Sequence, residues 1–285
     1  MTKKKKIGII GYGNMGLAIA KGIGSKYKVF IFDKDAAKTK KVAKTKATKS
    51  IFDLVNNTDV IILAVKPQDF DAVLNEFKHY CHFQPTRLEM GEKMIISIAA
   101  GISTRYIEKI LGKVRVIRVM PNLPAKIGKG MSCLAKGKFA SKTDLIFAKR
   151  IFDFIGSTLI LKESMINAAT ADSGSGPGFL FSLVSGKSLK EAKKFARTDF
   201  VPALTSAGVD IGFRFQEAQL LAKATAMGSL ALLEESGLLA EDLVKQVASK
   251  GGTTEAGLKK LKRNIKFLSR AVEAALKRAK ELSRR

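Results

Sequence analysis

The stretch Ile7-Gly8-Ile9-Ile10-Gly11-Tyr12-Gly13-Asn14-Met15-Gly16 decides how the rest of the chain is read. Ile7, Ile9 and Ile10 form a short apolar run of the kind that makes a buried strand. Gly11, Gly13 and Gly16 then give G-x-G-x-x-G. In that pattern the first glycine permits a tight turn, the second lets the backbone approach a pyrophosphate, and the third lets a helix pack close to the sheet. The N–H groups that open such a helix favour a phosphate. The same pattern also occurs in glycine-rich turns that bind nothing. Here a second apolar strand, Lys28 to Phe32, ends at Asp33, close to where a ribose-binding acid is expected. The reading is therefore a dinucleotide-binding unit.

Moving outward, Asp35 to Thr45 reads as a lysine-rich helix. Val60 to Val65 is a continuous apolar strand of the type found in parallel sheets covered on both faces. It stops at Lys66-Pro67, where a helix can begin because proline suits the first turn. Ligands of open α/β sheets lie beyond the carboxyl ends of the strands, so Ala64 to Pro67 should border the cofactor. Met94 to Ala100 ends at Ala99-Ala100-Gly101 with the same expectation. Val114 to Val119, Met131 to Ala135 and Thr158 to Leu161 read as further strands. This alternation predicts an α/β, doubly wound parallel sheet over residues 1–162, followed by an all-helical domain over 163–285.

Composition narrows the classes. Apolar content of 46% is that of a globular protein. Two cysteines, Cys81 and Cys133, make no disulfide framework and fit a reducing cytoplasm. Lys3 to Lys6 resemble the start of a signal peptide, but five glycines break the following apolar run before Ile23. No unbroken apolar run is long enough to cross a membrane. The 51 Lys+Arg against 25 Asp+Glu would attract polyanions nonspecifically. The lysines are scattered rather than interleaved with aromatics, so no specific nucleic-acid site is read. His79, Cys81 and His82 lie in a polar connection between Phe77 and Lys93. They lack a second ligand pair, so no metal site is read.

From Lys162 onward strand signals vanish. Phe215 to Glu235 is apolar on almost every face, which asks for burial on more than one side and points to a partner subunit. Asn264 to Ser283 carries Ile265, Leu268, Val272, Ala275, Leu276, Ala279 and Leu282 on one face, as an internal core or as a dimer seam. Two stretches look too specific for packing alone. Ser173-Gly174-Ser175-Gly176-Pro177-Gly178 interrupts a helical region, either as a hinge or for a close backbone approach. In Ser249-Lys250-Gly251-Gly252-Thr253-Thr254-Glu255, glycines followed by threonines at a helix start form a compact carboxylate-binding nest. Thr253 as a plain helix cap is the alternative.

Together, GYGNMG at 11–16, LAVKPQ at 63–68, SIAAGIS at 97–103, RVMPNLPA at 118–125, SGSGPGF at 173–179 and GGTTEAGL at 251–258 resemble pyrroline-5-carboxylate reductase. The blocks span nearly the whole chain in the family's order. The resemblance implies NAD(P)H-dependent reduction of Δ1-pyrroline-5-carboxylate to L-proline. It also implies a Rossmann domain joined to a helical domain that interlocks into a homodimer, with a ring of five dimers as a larger form. By matching position, Gly11, Tyr12, Gly13, Asn14, Met15 and Gly16 hold the dinucleotide phosphates. Ala64, Val65, Lys66 and Pro67 line the nicotinamide side with Ala99, Ala100 and Gly101. Ser249, Gly251 and Gly252, with Thr253 in the same nest, grip the substrate carboxylate, and Thr254 hydrogen-bonds the ring nitrogen as the catalytic residue.

The chain departs from the pattern in places. Lys250 replaces the usual proline, Asp172 replaces an apolar residue, and Val184 to Phe200 is a lysine-rich insertion expected to be helical or exposed. Asp33 would accept from a ribose 2′-hydroxyl and repel a 2′-phosphate, which leans to NADH, while Lys34 and Lys38 soften that repulsion. Two other readings compete. One is a hydroxy-acid dehydrogenase with a catalytic lysine in the helical half. The other is a basic nucleic-acid-binding protein.

Overall fold

The protein is described by a computed structural model covering residues 5–39, 45–83 (side chains to residue 79) and 93–283. Among the described residues the chain divides into two compact units, Met1–Val119 with Leu134–Ile155, and Met120–Cys133 with Gly156–Arg284.

The first unit opens with β1 (Lys6–Ile10), α1 (Asn14–Ile23) and β2 (Lys28–Phe32). They are followed by α2 (Ala36–Thr39), β3 (Thr45–Ala47), α3 (Ile51–Asn57) and β4 (Val60–Leu63). A short 3₁₀ turn at Pro67–Asp69 leads into α4 (Phe70–Phe83), then β5 (Met94–Ser97), α5 (Thr104–Leu111) and β6 (Arg115–Met120). Serine hydroxyls start three helices of this unit. Ser50 accepts from Asp53 N–H and Ser103 from Tyr106 N–H. Before α6 (Lys142–Phe152), Ser141 and Asp144 cap each other reciprocally. Strand β7 (Gly130–Lys136) and β8 (Gly156–Ile160) complete a sheet of order β3-β2-β1-β4-β5-β6-β7-β8. Pairing from β3 to β6 is parallel, with Ile9 opposite Ile31 on one side and Ile62 on the other. The order reverses between β1 and β4, where the two neighbouring crossovers leave in opposite directions and open a crevice at the strand ends.

The second unit is helical after β8. It comprises α7 (Ile166–Ala169), a π turn at Thr170–Gly174, α8 (Gly176–Val184), α9 (Leu189–Phe195), a second π turn at Ala196–Phe200 and α10 (Val201–Asp210). Next come α11 (Phe215–Ser236), α12 (Ala240–Val247), α13 (Thr253–Leu261) and α14 (Leu268–Leu282). Its core gathers Phe179, Phe181, Phe200, Leu204, Leu261, Leu268, Val272 and Ala275. Leu268, Val272 and Ala275 of the last helix's apolar stripe are thus packed within the chain, while Leu282 at its end is exposed.

Several sequence expectations are revised. The lysine-rich helix is described over Ala36–Thr39, residues 40–44 lie outside the described residues, and Thr45 begins a strand rather than ending the helix. The short run Thr45–Ala47 holds its place by pairing with β2 rather than by any apolar pattern. The segment after Phe77 is helix to Phe83 rather than open connection. The side chains of Cys81 and His82 lie outside the described residues. Lys93 is not on a solvent face. It is buried, and its ammonium donates to the carbonyls of Val55 and Thr58, satisfying the end of α3. The glycines at 173–178 do not make a hinge. Gly176 is packed against Thr225 of α11, and Gly178 against Thr254 of α13, where a Cβ would fall 2.6 Å from the Thr254 methyl.

Candidate functional site

In the first unit the glycine turn is built as the pattern requires. Gly11 takes φ +94°, a conformation favouring glycine, and donates its N–H to Phe32 O at 2.8 Å. A Cβ there would lie 2.7 Å from the Ala64 carbonyl. A Cβ on Gly16 would fall onto the Gly11 carbonyl oxygen. Gly13 differs from both, because nothing lies within 4 Å of where its Cβ would be. Gly13 also caps α1 with no side chain over the helix end, so the N–H groups of the first turn remain available to an anion.

This turn borders a cleft of about 590 Å³. Gly11, Gly13, Asp33, Ala64, Val65 and Lys66 all line it. Tyr12, Asn14, Met15 and Gly16 belong to the same turn and helix start, and Pro67 begins the following 3₁₀ turn. Ala99, Ala100 and Gly101 follow β5, with Gly101 at φ +79°. The cleft has a wall that the sequence reading missed: Asp69, Ala72, Val73 and Glu76. Asp69 ends the 3₁₀ turn before α4, and the spacing of Ala72, Val73 and Glu76 along α4 is the signal that one helical face turns inward. Burial pushes the Glu76 carboxyl up.

Asp33 is tied into the turn. Its side chain is 8% exposed, and its carboxylate accepts Tyr12 N–H at 2.6 Å and Asp35 N–H at 2.9 Å. Lys38 stands 3.7 Å away, and Lys34 pairs with Asp69 at 2.6 Å. The acid thus joins the end of β2 to the glycine turn.

In the second unit the two glycine-rich stretches meet. The Ser175 and Thr253 hydroxyls are 3.1 Å apart and share a hydrogen bond. Gly252, not Thr253, is the residue before the first turn of α13, so the plain-cap alternative for Thr253 does not hold. Gly251 has φ +70°, and Gly252 N–H donates to Ser249 O at 2.9 Å. Thr254 is buried beside α8. Asn122 is a brace whose role its sequence context did not reveal. Its amide donates to Ser173 O at 3.1 Å and accepts Met131 N–H at 2.7 Å. A buried side-chain amide that satisfies two backbone groups fixes the approach of the chain on both sides.

Two buried titratable groups, Cys133 and Asp172, lie in the same unit. Burial pushes the Cys133 thiol up to about 12, which makes it inert in the folded state. Asp172 is fully buried and neither carboxylate oxygen has a hydrogen-bond partner. Burial pushes its carboxyl well above the usual carboxylate range. The folded state therefore holds this proton more tightly than the unfolded chain does. The associated stability is fully present below the ordinary aspartate range and is lost as pH rises toward the raised value. Asp172→Asn mimics the protonated acid and should raise stability at neutral pH by about 1–3 kcal/mol while flattening its pH dependence. Urea midpoints between acidic and mildly alkaline pH check this. A wild type with flat stability over that range, and no more fragile than the variant, would contradict it.

Comparison with known proteins places these features. Residues 198–282 match the family model for pyrroline-5-carboxylate reductase dimerisation, and residues 6–101 match that for NADP oxidoreductase, coenzyme F420-dependent. The chain is 33% identical to a pyrroline-5-carboxylate reductase of Aquifex aeolicus, over 90% of this chain and 88% of the relative. The chain belongs to the pyrroline-5-carboxylate reductase family. A solved reductase of that family from Coxiella burnetii superposes with a TM-score of 0.65 at 29% identity, covering 99% of this chain and 100% of the other. The Plasmodium falciparum pyrroline carboxylate reductase, solved with NADP bound, gives 0.62 at 28% identity, covering 98% of each chain. The chain is thus an oxidoreductase of NAD(P)-dependent type, built on the expected α/β sheet and helical region.

Proposed function

We propose that this protein reduces Δ1-pyrroline-5-carboxylate to L-proline, the last step of proline formation, using a reduced nicotinamide dinucleotide. The observation that carries the reading is the open space above Gly13 at the start of α1, in a chain whose other end keeps the Ser249–Thr254 nest. When bound, the dinucleotide supplies the hydride for C5 of the imine. The protein contributes placement and one proton. The turn from Gly11 to Gly16, with Ala64 to Pro67 and Ala99 to Gly101, holds the dinucleotide. The N–H groups that open α13, with Ser249 and Thr253, take the substrate carboxylate, while Gly251 and Gly252, whose own N–H groups are bonded to Glu255 and Ser249, shape the turn that aims them. Thr254 Oγ1 hydrogen-bonds the ring nitrogen and steers the proton to it. The division of labour runs at residue 162, dinucleotide before it and imino acid after it.

The test is oxidation of NADH or NADPH on addition of pyrroline-5-carboxylate to the purified protein. Turnover is expected, and its absence with both cofactors would overturn the reading. Of the two cofactors, NADH should give the higher kcat/KM, because a 2′-phosphate would face the Asp33 carboxylate and Lys34 is already paired with Asp69. Asp33→Asn retains an oxygen for Tyr12 N–H and should shift the NADPH-to-NADH ratio of kcat/KM upward by about tenfold. An unchanged ratio would remove Asp33 from cofactor choice.

The hydroxy-acid alternative is not favoured, since the relatives and solved structures this chain matches along nearly its whole length are pyrroline-5-carboxylate reductases. The working assembly in this proposal is a homodimer, with five dimers in a ring as the larger form. Leu220 and Met227 support it, lying seven residues apart on one face of α11 with Met227 71% exposed. Light scattering that found only monomer would contradict it. A cytoplasmic setting completes the proposal. Cys133 is a free thiol, and no helix among the described residues is long and apolar enough to cross a membrane.

A further inference from the structure

The nest at Ser249–Thr254 is useful only if its backbone stays aimed while no ligand is present, and its central glycine is held by two side chains that the sequence reading did not single out. Gly251 N–H donates to Glu255 Oε2 at 2.7 Å. Gly251 O accepts from Arg278 Nε at 2.8 Å. Both backbone groups of a residue at φ +70° are thereby fixed, one from α13 and one from α14. Arg278 is itself oriented, because its Nη1 donates to Glu281 Oε2 at 3.0 Å. The planar fork of arginine can bond a carbonyl and a carboxylate at once, which a lysine cannot do in the same geometry. These side chains border a cleft of about 480 Å³ between α13 and α14, on the flank of the nest.

We propose that Arg278 and Glu255 are positioning residues for substrate binding. They clamp Gly251 so that the donors opening α13 converge before the imino acid arrives, and neither touches the substrate. A loop released from the clamp must be ordered at the moment of binding, which weakens the carboxylate grip without altering the reacting atoms. The inference rests on the reductase reading above.

Arg278→Ala and Glu255→Ala should each raise KM for pyrroline-5-carboxylate by about tenfold, leave KM for the dinucleotide unchanged and change kcat by less than about twofold. Glu255→Gln keeps an oxygen for Gly251 N–H and should return most of the lost affinity. Arg278→Lys should not. Hydrogen exchange of the amides at 251–254 in the ligand-free protein provides a readout independent of turnover, and both alanine variants should accelerate it while the rest of α13 stays protected. An unchanged KM in Arg278→Ala, or unchanged exchange at 251–254, would overturn the clamp. So would a KM increase accompanied by general loss of protection throughout α13 and α14, since that is a structural role. If the wild-type protein turned over no pyrroline-5-carboxylate, the reductase reading would fail and the clamp would lose its role in substrate binding. The exchange result would still say whether the two side chains hold the loop.

Discussion

Gly13→Val should fold normally and lose dinucleotide binding, with Kd rising by about a hundredfold. Nothing lies within 4 Å of the Gly13 Cβ position, so a side chain there meets no protein atom. It would instead occupy the space above the opening turn of α1, where the backbone must come close to a pyrophosphate. Gly16→Ala should behave in the opposite way. Its methyl would collide with the Gly11 carbonyl oxygen, which is backbone and cannot swing aside. The turn or the helix must shift, at a cost of about 1–3 kcal/mol, and the thermal midpoint should fall even in the absence of ligand. Fluorescence titration with NADH and thermal unfolding separate the two outcomes. Equal loss of stability in both variants would mean that Gly13 serves packing rather than a ligand.

Thr254→Val should lower kcat by about a hundredfold while leaving the fold intact. Valine replaces the hydroxyl by a methyl and keeps the shape that packs against Gly178. Thr254→Ala should lose a similar amount of turnover with a slightly lower midpoint, because it also vacates that contact. Thr254→Ser, which retains a hydroxyl, should retain most of the activity. Steady-state kinetics at saturating cofactor reads the series, and wild-type turnover in the valine variant would remove Thr254 from the mechanism.

Much of this was legible in the chain. Ile7 to Gly16 specified strand, turn and helix because three glycines have three distinct steric reasons to be there, and two of those reasons are visible as forbidden Cβ positions at Gly11 and Gly16. Of the long helices of the second unit, α14 followed from its one-face apolar stripe and α11 from a composition that is apolar on almost every face. What escaped was held by tertiary partners. Thr45–Ala47 is a strand because β2 offers it an edge, and no local pattern announces that. The break at 173–178 is a π turn followed by close helix packing, which composition cannot distinguish from a hinge. Lys93 reads as one more surface lysine until its ammonium is found on two carbonyls at the end of α3. At the candidate site, Asn122 and Arg278 reach Ser173 and Gly251 across long stretches of sequence, and such bonds leave no periodic trace.

On the proposed function, hydride passes directly from C4 of the nicotinamide to C5 of pyrroline-5-carboxylate. Incubating the protein with pyrroline-5-carboxylate and NADH carrying deuterium at both C4 positions of the nicotinamide, then locating the label by mass spectrometry and NMR, tests it most directly. The account predicts proline with one deuterium at C5 and none washed in from, or lost to, the solvent. Proline bearing a solvent hydrogen at C5, or no proline at all, would contradict it.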